Sequence, residues 1–123
     1  TITQIKKYHL KTNKIKFVEL HSYKKFLMEQ YHSLCIISDS GTAQEESALL
    51  QTPVITPRDF TERPQSMKFQ CSYLFNLQKY DKSYRESINY INKINNNPKL
   101  INTKWLGKGN TAKMIISILK RNL

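Results

Sequence analysis

The chain has 123 residues, 39% of them hydrophobic and 11% aromatic, which is enough apolar material for the core of one domain and argues against a disordered chain. It contains neither a run of about 20 apolar residues nor a signal-peptide pattern at its N-terminus, so we expect a cytoplasmic protein with no membrane partner. The formal net charge of +11 makes a nucleic-acid partner one hypothesis, because basic chains attract polyanions.

Short apolar segments alternate with helical patterns along the chain. Strands are predicted at residues 14–20, 34–37, 52–56 and 72–77. Helices are predicted at residues 22–33, 42–50, about 81–95 and about 110–121, with a further helical turn after Pro64. Thr42 and Glu45 have the spacing of a capping box. Residues 94–110, rich in Asn, Pro and Gly, are predicted to form a loop.

Strands that are apolar without alternation, separated by helices, indicate a parallel sheet covered on both faces, which is the doubly wound α/β class. The sequence shows no internal repeat and no domain boundary, so residues 1–123 are predicted to form one domain. The two closing helices each carry a stripe at helical spacing, with Tyr84, Ile88, Ile91 and Asn95 on the first and Ile115, Ile118 and Leu119 on the second.

The two cysteines, Cys35 and Cys71, lie far apart and have no histidine partner at the spacing of metal ligands. Each lies in or beside an apolar run, so both are expected to be buried small hydrophobic residues. The sequence therefore predicts neither a metal site nor a cofactor.

The segment SDSGT, residues 38–42, lies between a predicted strand and a helix, where ligands bind in open parallel sheets. Gly41 allows a close backbone approach, Ser40 and Thr42 offer hydroxyl groups, and the first amides of the helix favour an anion. These properties suit a phosphate. Glu45 and Glu46 follow one turn later, where a carboxylate would suit a vicinal diol such as ribose better than a phosphate.

The segment RDFTERP, residues 58–64, places Arg58 and Arg63 after the next strand and on the same edge of the predicted sheet. A guanidinium group at this edge can form paired hydrogen bonds with diphosphate oxygens. Taken singly, each feature also has an ordinary interpretation: the Ser-Gly turn as a helix cap, the glutamates as complements to the helix dipole, and the arginines as surface ion pairs.

Taken together, SDSGTAQEE followed by RDFTERP resembles the paired motifs of the non-hydrolysing UDP-N-acetylglucosamine 2-epimerases. The resemblance begins near residue 15 and includes Tyr23, Phe26 and the glycines Gly107 and Gly109. It implies the C-terminal, Rossmann-like half of a two-domain fold of the GT-B type, shared with one class of nucleotide-sugar glycosyltransferases. The chain would then be a single incomplete domain, the half that binds UDP.

The resemblance also implies roles for individual residues. Ser40, Gly41 and Thr42 would hold the phosphates of UDP, and Glu46 would bind the ribose hydroxyls. Phe26 would pack on the uracil with His21 nearby, and Arg63 would face the diphosphate and the sugar. The ordinary alternatives are a core position for Phe26, which fits its helix stripe, and a solvated loop position for His21.

The resemblance implies an isomerase that inverts C2 of a UDP-N-acetyl sugar for surface polysaccharide synthesis. The family's catalytic histidine and carboxylates lie far upstream of the serine turn, and only 39 residues precede Ser40, so we assign no catalytic residue within this chain. Thr42 stands where the family more commonly has a second glycine, so the resemblance does not determine the identity of the substrate sugar. Activity would require the first half. The chain would be a truncated gene copy, one part of a split enzyme with a separately encoded first half, or an excerpt of a longer protein, and a homodimer is expected for the family.

Two other functions remain as hypotheses. The donor-binding half of a nucleotide-sugar glycosyltransferase would use the same clamp, although the TERP sequence favours the epimerase. A basic nucleic-acid-binding module would explain the charge, but residues 1–25 hold seven lysines whereas residues 38–66, which contain the motifs, hold five acids. Because no aromatic and basic recognition motif accompanies the lysines, we interpret them as solvated surface and expect no nucleic-acid partner.

Overall fold

A computed structural model describes residues 2–122, which contain a small parallel sheet and six α-helices. The sheet consists of β1 (Ile36–Ile37), β2 (Val54–Thr56) and β3 (Ser72–Leu74). The helices are α1 (Ile2–Lys7), α2 (Tyr23–Tyr31), α3 (Gly41–Leu50), α4 (Pro64–Lys68), α5 (Tyr80–Asn96) and α6 (Thr111–Asn122). Three short 3₁₀ turns cover Leu77–Lys79, Pro98–Leu100 and Lys104–Leu106.

The three strands are parallel and lie in the order β1, β2, β3, with α3 and α4 as the two crossovers. On one face, Ser72 of β3 contacts Ser66 of α4, and on the other face Tyr73 stacks on Tyr90 of α5 with ring centroids 6.0 Å apart. Neighbouring residues of a strand point to opposite faces, so helices cover both faces of the sheet. The predicted α/β class is confirmed.

The core lies between the sheet and α5. Its buried residues come from every layer: Ala48, Ile55, Cys71, Tyr90, Ile94 and Ile101. Trp105 and Leu106 pack against it and lie in the predicted loop, which contains two 3₁₀ turns and the end of α5. The indole Nε1–H of Trp105 donates to Cys71 Sγ at 3.4 Å. Cys71 is buried as expected, whereas Cys35 is only partly buried.

The predicted strand at residues 14–20 is wrong, because the structure has no regular hydrogen-bonded element there. The apolar side chains of Ile15, Phe17, Val18 and Leu20 are all more than half exposed. A strand forms only where a neighbour completes its hydrogen-bond ladder, and the sheet described for residues 2–122 has β1 as an edge paired with β2 alone. The apolar pattern of residues 14–20 is therefore not sufficient for a strand.

Helix α5 is confirmed, and Ile91 of its predicted stripe packs against the core. The buried residues of α5 are Ser83, Ser87, Tyr90 and Ile94. Tyr84 and Ile88 instead line an open groove of about 410 Å³ beside β1 and β2. Helix α6 is confirmed, but its stripe residues Ile115, Ile118 and Leu119 are all more than half exposed.

Because Tyr90 is buried, we expect the folded chain to lose stability at alkaline pH. Its hydroxyl donates to the backbone carbonyl of Gln70 at 3.2 Å, and burial raises its pKa well above the ordinary value of 10.0. Since the unfolded chain releases this proton at lower pH than the folded chain, the stabilisation is complete below pH 10 and declines above it. We expect the free energy of unfolding in urea to fall by about 1.4 kcal/mol more per pH unit above pH 10 than in Tyr90→Phe. Equal pH slopes in the two proteins would contradict this prediction.

Candidate functional site

The two motif segments lie on the same edge of the sheet, as the sequence predicted. Residues 38–40 join the end of β1 to α3, and residues 57–63 join the end of β2 to α4. Because the strands are parallel and adjacent, both connections leave the sheet at its carboxyl edge. Residues separated by about 20 positions in the sequence are thereby brought into contact.

Helix α3 begins at Gly41, with Ser40 as its N-cap residue in an extended conformation. The Ser40 backbone N–H donates to Ser38 Oγ at 3.2 Å, and the Ser40 side chain makes no capping hydrogen bond. Thr42 is exposed, and the predicted capping box of Thr42 with Glu45 is wrong because the helix begins one residue earlier. The first turn of α3 therefore presents its amides and the Ser40 and Thr42 hydroxyl groups to the outside.

Arg63 lies over the first residue of α3. A Cβ atom added to Gly41 would lie 3.4 Å from Arg63 Cζ and 3.5 Å from Nη2. The Nε–H of Arg63 donates to Glu45 Oε1, and both side chains are between one third and one half exposed. Within residues 2–122, the guanidinium group makes this hydrogen bond through Nε. Its Nη atoms therefore remain able to bind an anion.

Arg58 has a different environment, although it belongs to the same loop. Its Nη2 lies 3.3 Å from Asp39 Oδ2 and its Nη1 lies 3.7 Å from Glu62 Oε1. Two carboxylates thus share one partly exposed guanidinium group. The ordinary interpretation of a surface ion pair is the one the structure supports for Arg58.

Glu46 is held by a residue of α2. The Tyr23 hydroxyl donates to Glu46 Oε1 at 2.8 Å, and this hydrogen bond raises the pKa of Tyr23 from its ordinary value. Phe26 lies one turn after Tyr23, on the same side of α2, and its side chain is 48% exposed. A core position for Phe26 is excluded by this exposure.

His21 is the predicted site residue with the least connection to the others. Its Nε2 lies 3.0 Å from Glu29 Oε1 of α2, and its side chain is mostly buried. This contact holds the segment before α2 against that helix. The solvated loop position considered for His21 is therefore not observed.

The side chain of Gln44 is 1% exposed and was not predicted as part of the site. Its Oε1 accepts hydrogen bonds from Thr61 Oγ1 at 3.0 Å and from Ser66 Oγ at 2.8 Å, with Ser72 Oγ at 3.4 Å. The three hydroxyl groups come from the loop after β2, from α4 and from β3. The sequence signal was present in the motifs themselves, since Gln44 and Thr61 belong to QEE and TERP, but their contact depends on the fold.

Residues 2–122 contain neither a membrane-spanning helix nor a metal-binding cluster. None of the helices in that range is long and apolar enough to cross a membrane. The same residues contain no group of three or more His, Cys, Asp or Glu side chains arranged to hold a metal ion.

Comparison with known proteins gives one consistent result. The family model described as UDP-N-acetylglucosamine 2-epimerase matches residues 1–120. The UDP-N-acetylglucosamine 2-epimerase of Methanocaldococcus jannaschii is 36% identical over 113 residues, which is 89% of this chain and 29% of that protein. The corresponding enzyme of Neisseria meningitidis serogroup A is 31% identical over 110 residues, which is 88% of this chain and 29% of its own length.

Two solved structures resemble the chain. The UDP-GlcNAc 2-epimerase from Methanocaldococcus jannaschii superposes with a TM-score of 0.69 at 31% identity, covering 98% of this chain and 33% of that one. The UDP-GlcNAc 2-epimerase from Neisseria meningitidis, in a crystal structure bound to UDP-GlcNAc, superposes with a TM-score of 0.59 at 31% identity. It covers 85% of this chain and 28% of its own. The chain thus spans about a third or less of the length of these relatives.

Proposed function

This chain belongs to the UDP-N-acetylglucosamine 2-epimerase family, and we propose that it is the part of such an enzyme that binds the UDP moiety of a UDP-N-acetyl sugar. The single observation that carries the proposal is the position of Arg63 over Gly41 at the N-terminus of α3. Helix amides and a guanidinium group there face a common space. Such a combination favours a diphosphate over neutral ligands.

The diphosphate end of the proposed site consists of Ser40, Gly41, Thr42 and Arg63. The Ser40 and Thr42 hydroxyl groups and the amides of the first turn donate to the phosphates, and the Nη atoms of Arg63 bind from the opposite side. The Glu45 partner does not prevent this, because its hydrogen bond with Arg63 uses Nε–H. The arginine can therefore turn its Nη atoms to a diphosphate while Nε remains bound to Glu45.

The uridine end of the proposed site consists of Glu46, Phe26 and Tyr23. With Oε1 of Glu46 occupied by the Tyr23 hydroxyl, Oε2 is left to accept hydrogen bonds from the ribose hydroxyls. Phe26 offers an exposed ring for the uracil. His21 is connected to this end only by its contact with Glu29, which lies on α2 together with Tyr23 and Phe26.

We propose that the complete reaction, inversion at C2 of the sugar, needs acid and base groups from the rest of an epimerase. In this proposal residues 1–123 are one incomplete domain, and the remaining part belongs to the same protein or to a separately encoded partner. A homodimer of the complete enzyme is the assembly we expect. The identity of the sugar depends on residues around Thr42 and on the other half of the cleft.

The proposal is tested by calorimetric titration of the purified chain with UDP, followed by uridine and by CDP. Saturable binding of UDP that exceeds binding of uridine and of CDP supports a site for uridine and diphosphate. Absence of UDP binding at millimolar concentration to the folded chain would refute an autonomous UDP site. Circular dichroism of the same samples shows whether the chain is folded.

Gly41→Ala is expected to separate binding from stability. The added methyl group would make an ordinary contact of 3.4 Å with Arg63 Cζ, so the free energy of unfolding should stay the same or rise by about 0.5 kcal/mol. The same methyl group would occupy the space where a phosphate approaches the helix amides. We expect UDP affinity to fall about tenfold and uridine affinity to stay unchanged. An unchanged UDP affinity, measured by calorimetry, would show that the phosphate does not approach Gly41.

A further inference from the structure

The buried polar cluster around Gln44 connects α3 to the loop that carries Arg63. Gln44 and Ser66 are 1% and 0% exposed, and Ser72 is 4% exposed. A buried amide oxygen surrounded by hydroxyl groups is costly to leave without partners, so such a cluster fixes the relative positions of the segments that supply it. Here those segments are α3, the loop after β2, α4 and β3.

The cluster extends from Gln44 to both backbone polar groups of Arg63. Thr61 Oγ1 donates to Gln44 Oε1 at 3.0 Å and accepts from the Arg63 backbone N–H at 3.0 Å. Ser66 Oγ lies 2.7 Å from the Arg63 carbonyl oxygen and 2.8 Å from Gln44 Oε1. The N–H and C=O groups of Arg63 are therefore both bound by side chains that contact Gln44.

The three hydroxyl groups carry one proton each, so they cannot make all five of the close contacts at the same moment. Ser66 carries one proton and can donate either to Gln44 or to the Arg63 carbonyl at any moment, while Ser72 Oγ, 2.6 Å away, can donate to Ser66. Thr61 has no such choice, because its acceptor role toward Arg63 leaves its proton for Gln44. The link from Gln44 through Thr61 to Arg63 is thus the fixed part of the cluster.

We infer that Gln44 is a positioning residue for Arg63: its amide oxygen holds the 61–63 segment so that the guanidinium group lies over the N-terminus of α3. This inference rests on the proposed binding of UDP for its functional meaning. The adjacent Glu45 contacts the Arg63 side chain, whereas Gln44 fixes the Arg63 backbone. Gln44 itself touches no ligand in this scheme.

Two substitutions of similar size test the inference. Gln44→Met removes the acceptor and retains the volume, whereas Gln44→Glu retains an acceptor that the three hydroxyl groups can satisfy. Amide hydrogen exchange measured by NMR at Arg63, whose N–H is bound by Thr61, reports the local link. Exchange at Val54, whose N–H donates to the Cys71 carbonyl in the sheet, reports global stability in the same sample.

In Gln44→Met we expect Arg63 exchange to accelerate at least about tenfold relative to Val54. UDP affinity should fall about tenfold with uridine affinity unchanged. Gln44→Glu should restore the slow exchange of the Arg63 N–H relative to Val54; because its charge would repel a diphosphate, UDP affinity is compared only between Gln44→Met and the wild type. Unchanged Arg63 exchange relative to Val54 in Gln44→Met would overturn the inference, as would equal losses of UDP and uridine affinity. If the wild-type chain binds no UDP, the proposed function fails, and the exchange measurement still decides whether Gln44 positions Arg63.

Discussion

Glu46→Ala is expected to weaken UDP binding by about tenfold or more while leaving the chain folded. The reason is that the carboxylate accepts hydrogen bonds from the ribose diol in the proposed complex, and hydrogen bonds to charged groups contribute about 1.5–3 kcal/mol. Glu46 is only partly buried, so its removal leaves no large cavity in α3. Calorimetric titration with UDP measures the change in affinity, and thermal unfolding checks the fold.

A matched control exists on the other side of the sheet. The Tyr73 hydroxyl donates to Glu86 Oε2 at 2.7 Å, which repeats the Tyr23 contact with Glu46 at a place far from the motif segments. Glu86→Ala should therefore leave UDP affinity unchanged. A 2′,3′-dideoxy analogue of UDP should bind the wild type and Glu46→Ala with similar affinity, because it lacks the hydroxyl groups that Glu46 binds. If Glu46→Ala weakens the analogue as strongly as UDP, Glu46 does not act through the ribose.

Arg63→Ala is expected to lower UDP affinity by at least about tenfold and to leave uridine affinity unchanged. A guanidinium group facing a diphosphate makes paired, charge-assisted hydrogen bonds that a nucleoside cannot offer. Arg63→Lys should recover only part of the loss, since an ammonium group cannot reproduce the planar pair of donors. The UDP affinity of the wild type should also decrease with salt more steeply than that of Arg63→Ala.

Arg58→Ala is the control for general loss of positive charge in the same loop. Both Nη atoms of Arg58 lie near carboxylates, whereas Arg63 is bound to Glu45 through Nε, so removal of Arg58 should change UDP affinity much less than removal of Arg63. Equal effects of the two substitutions would indicate that net charge alone attracts the ligand. Loss of uridine affinity in Arg63→Ala would indicate a damaged fold and would contradict the assignment of Arg63 to the diphosphate.

Local patterns were sufficient for most elements of the fold. The strands of the sheet and helices α2 to α6 each correspond to a predicted segment, because apolar spacing follows the period of the element that a segment forms. Residues 14–20 show the limit of this argument. Their composition suits a strand, but strand formation depends on a neighbour that supplies hydrogen bonds, and no pattern within seven residues encodes that neighbour.

The geometry of parallel strands was sufficient to predict which two loops meet at the site. The meeting of Gly41 and Arg63 follows from two adjacent strands whose carboxyl ends share one edge. The resemblance assigned Arg63 and not Arg58 to the diphosphate, but the ion pairs of Arg58 with Asp39 and Glu62 could not be predicted because they depend on the fold. Gln44 could not be predicted either, because its burial depends on hydroxyl groups supplied by three separate segments.

The consecutive order of the strands affects how the chain can fold. Ile36 pairs with Val54 and Val54 pairs with Ser72, so each strand finds its partner at the same short separation along the chain. Short separations keep the entropy cost of loop closure small, and they favour rapid formation of such contacts. Ser40, Gly41 and Thr42 of the proposed diphosphate end lie in the first of these two units, whereas Arg63 lies in the second, between β2 and β3. The diphosphate end can therefore take shape only after β3 has joined β1 and β2.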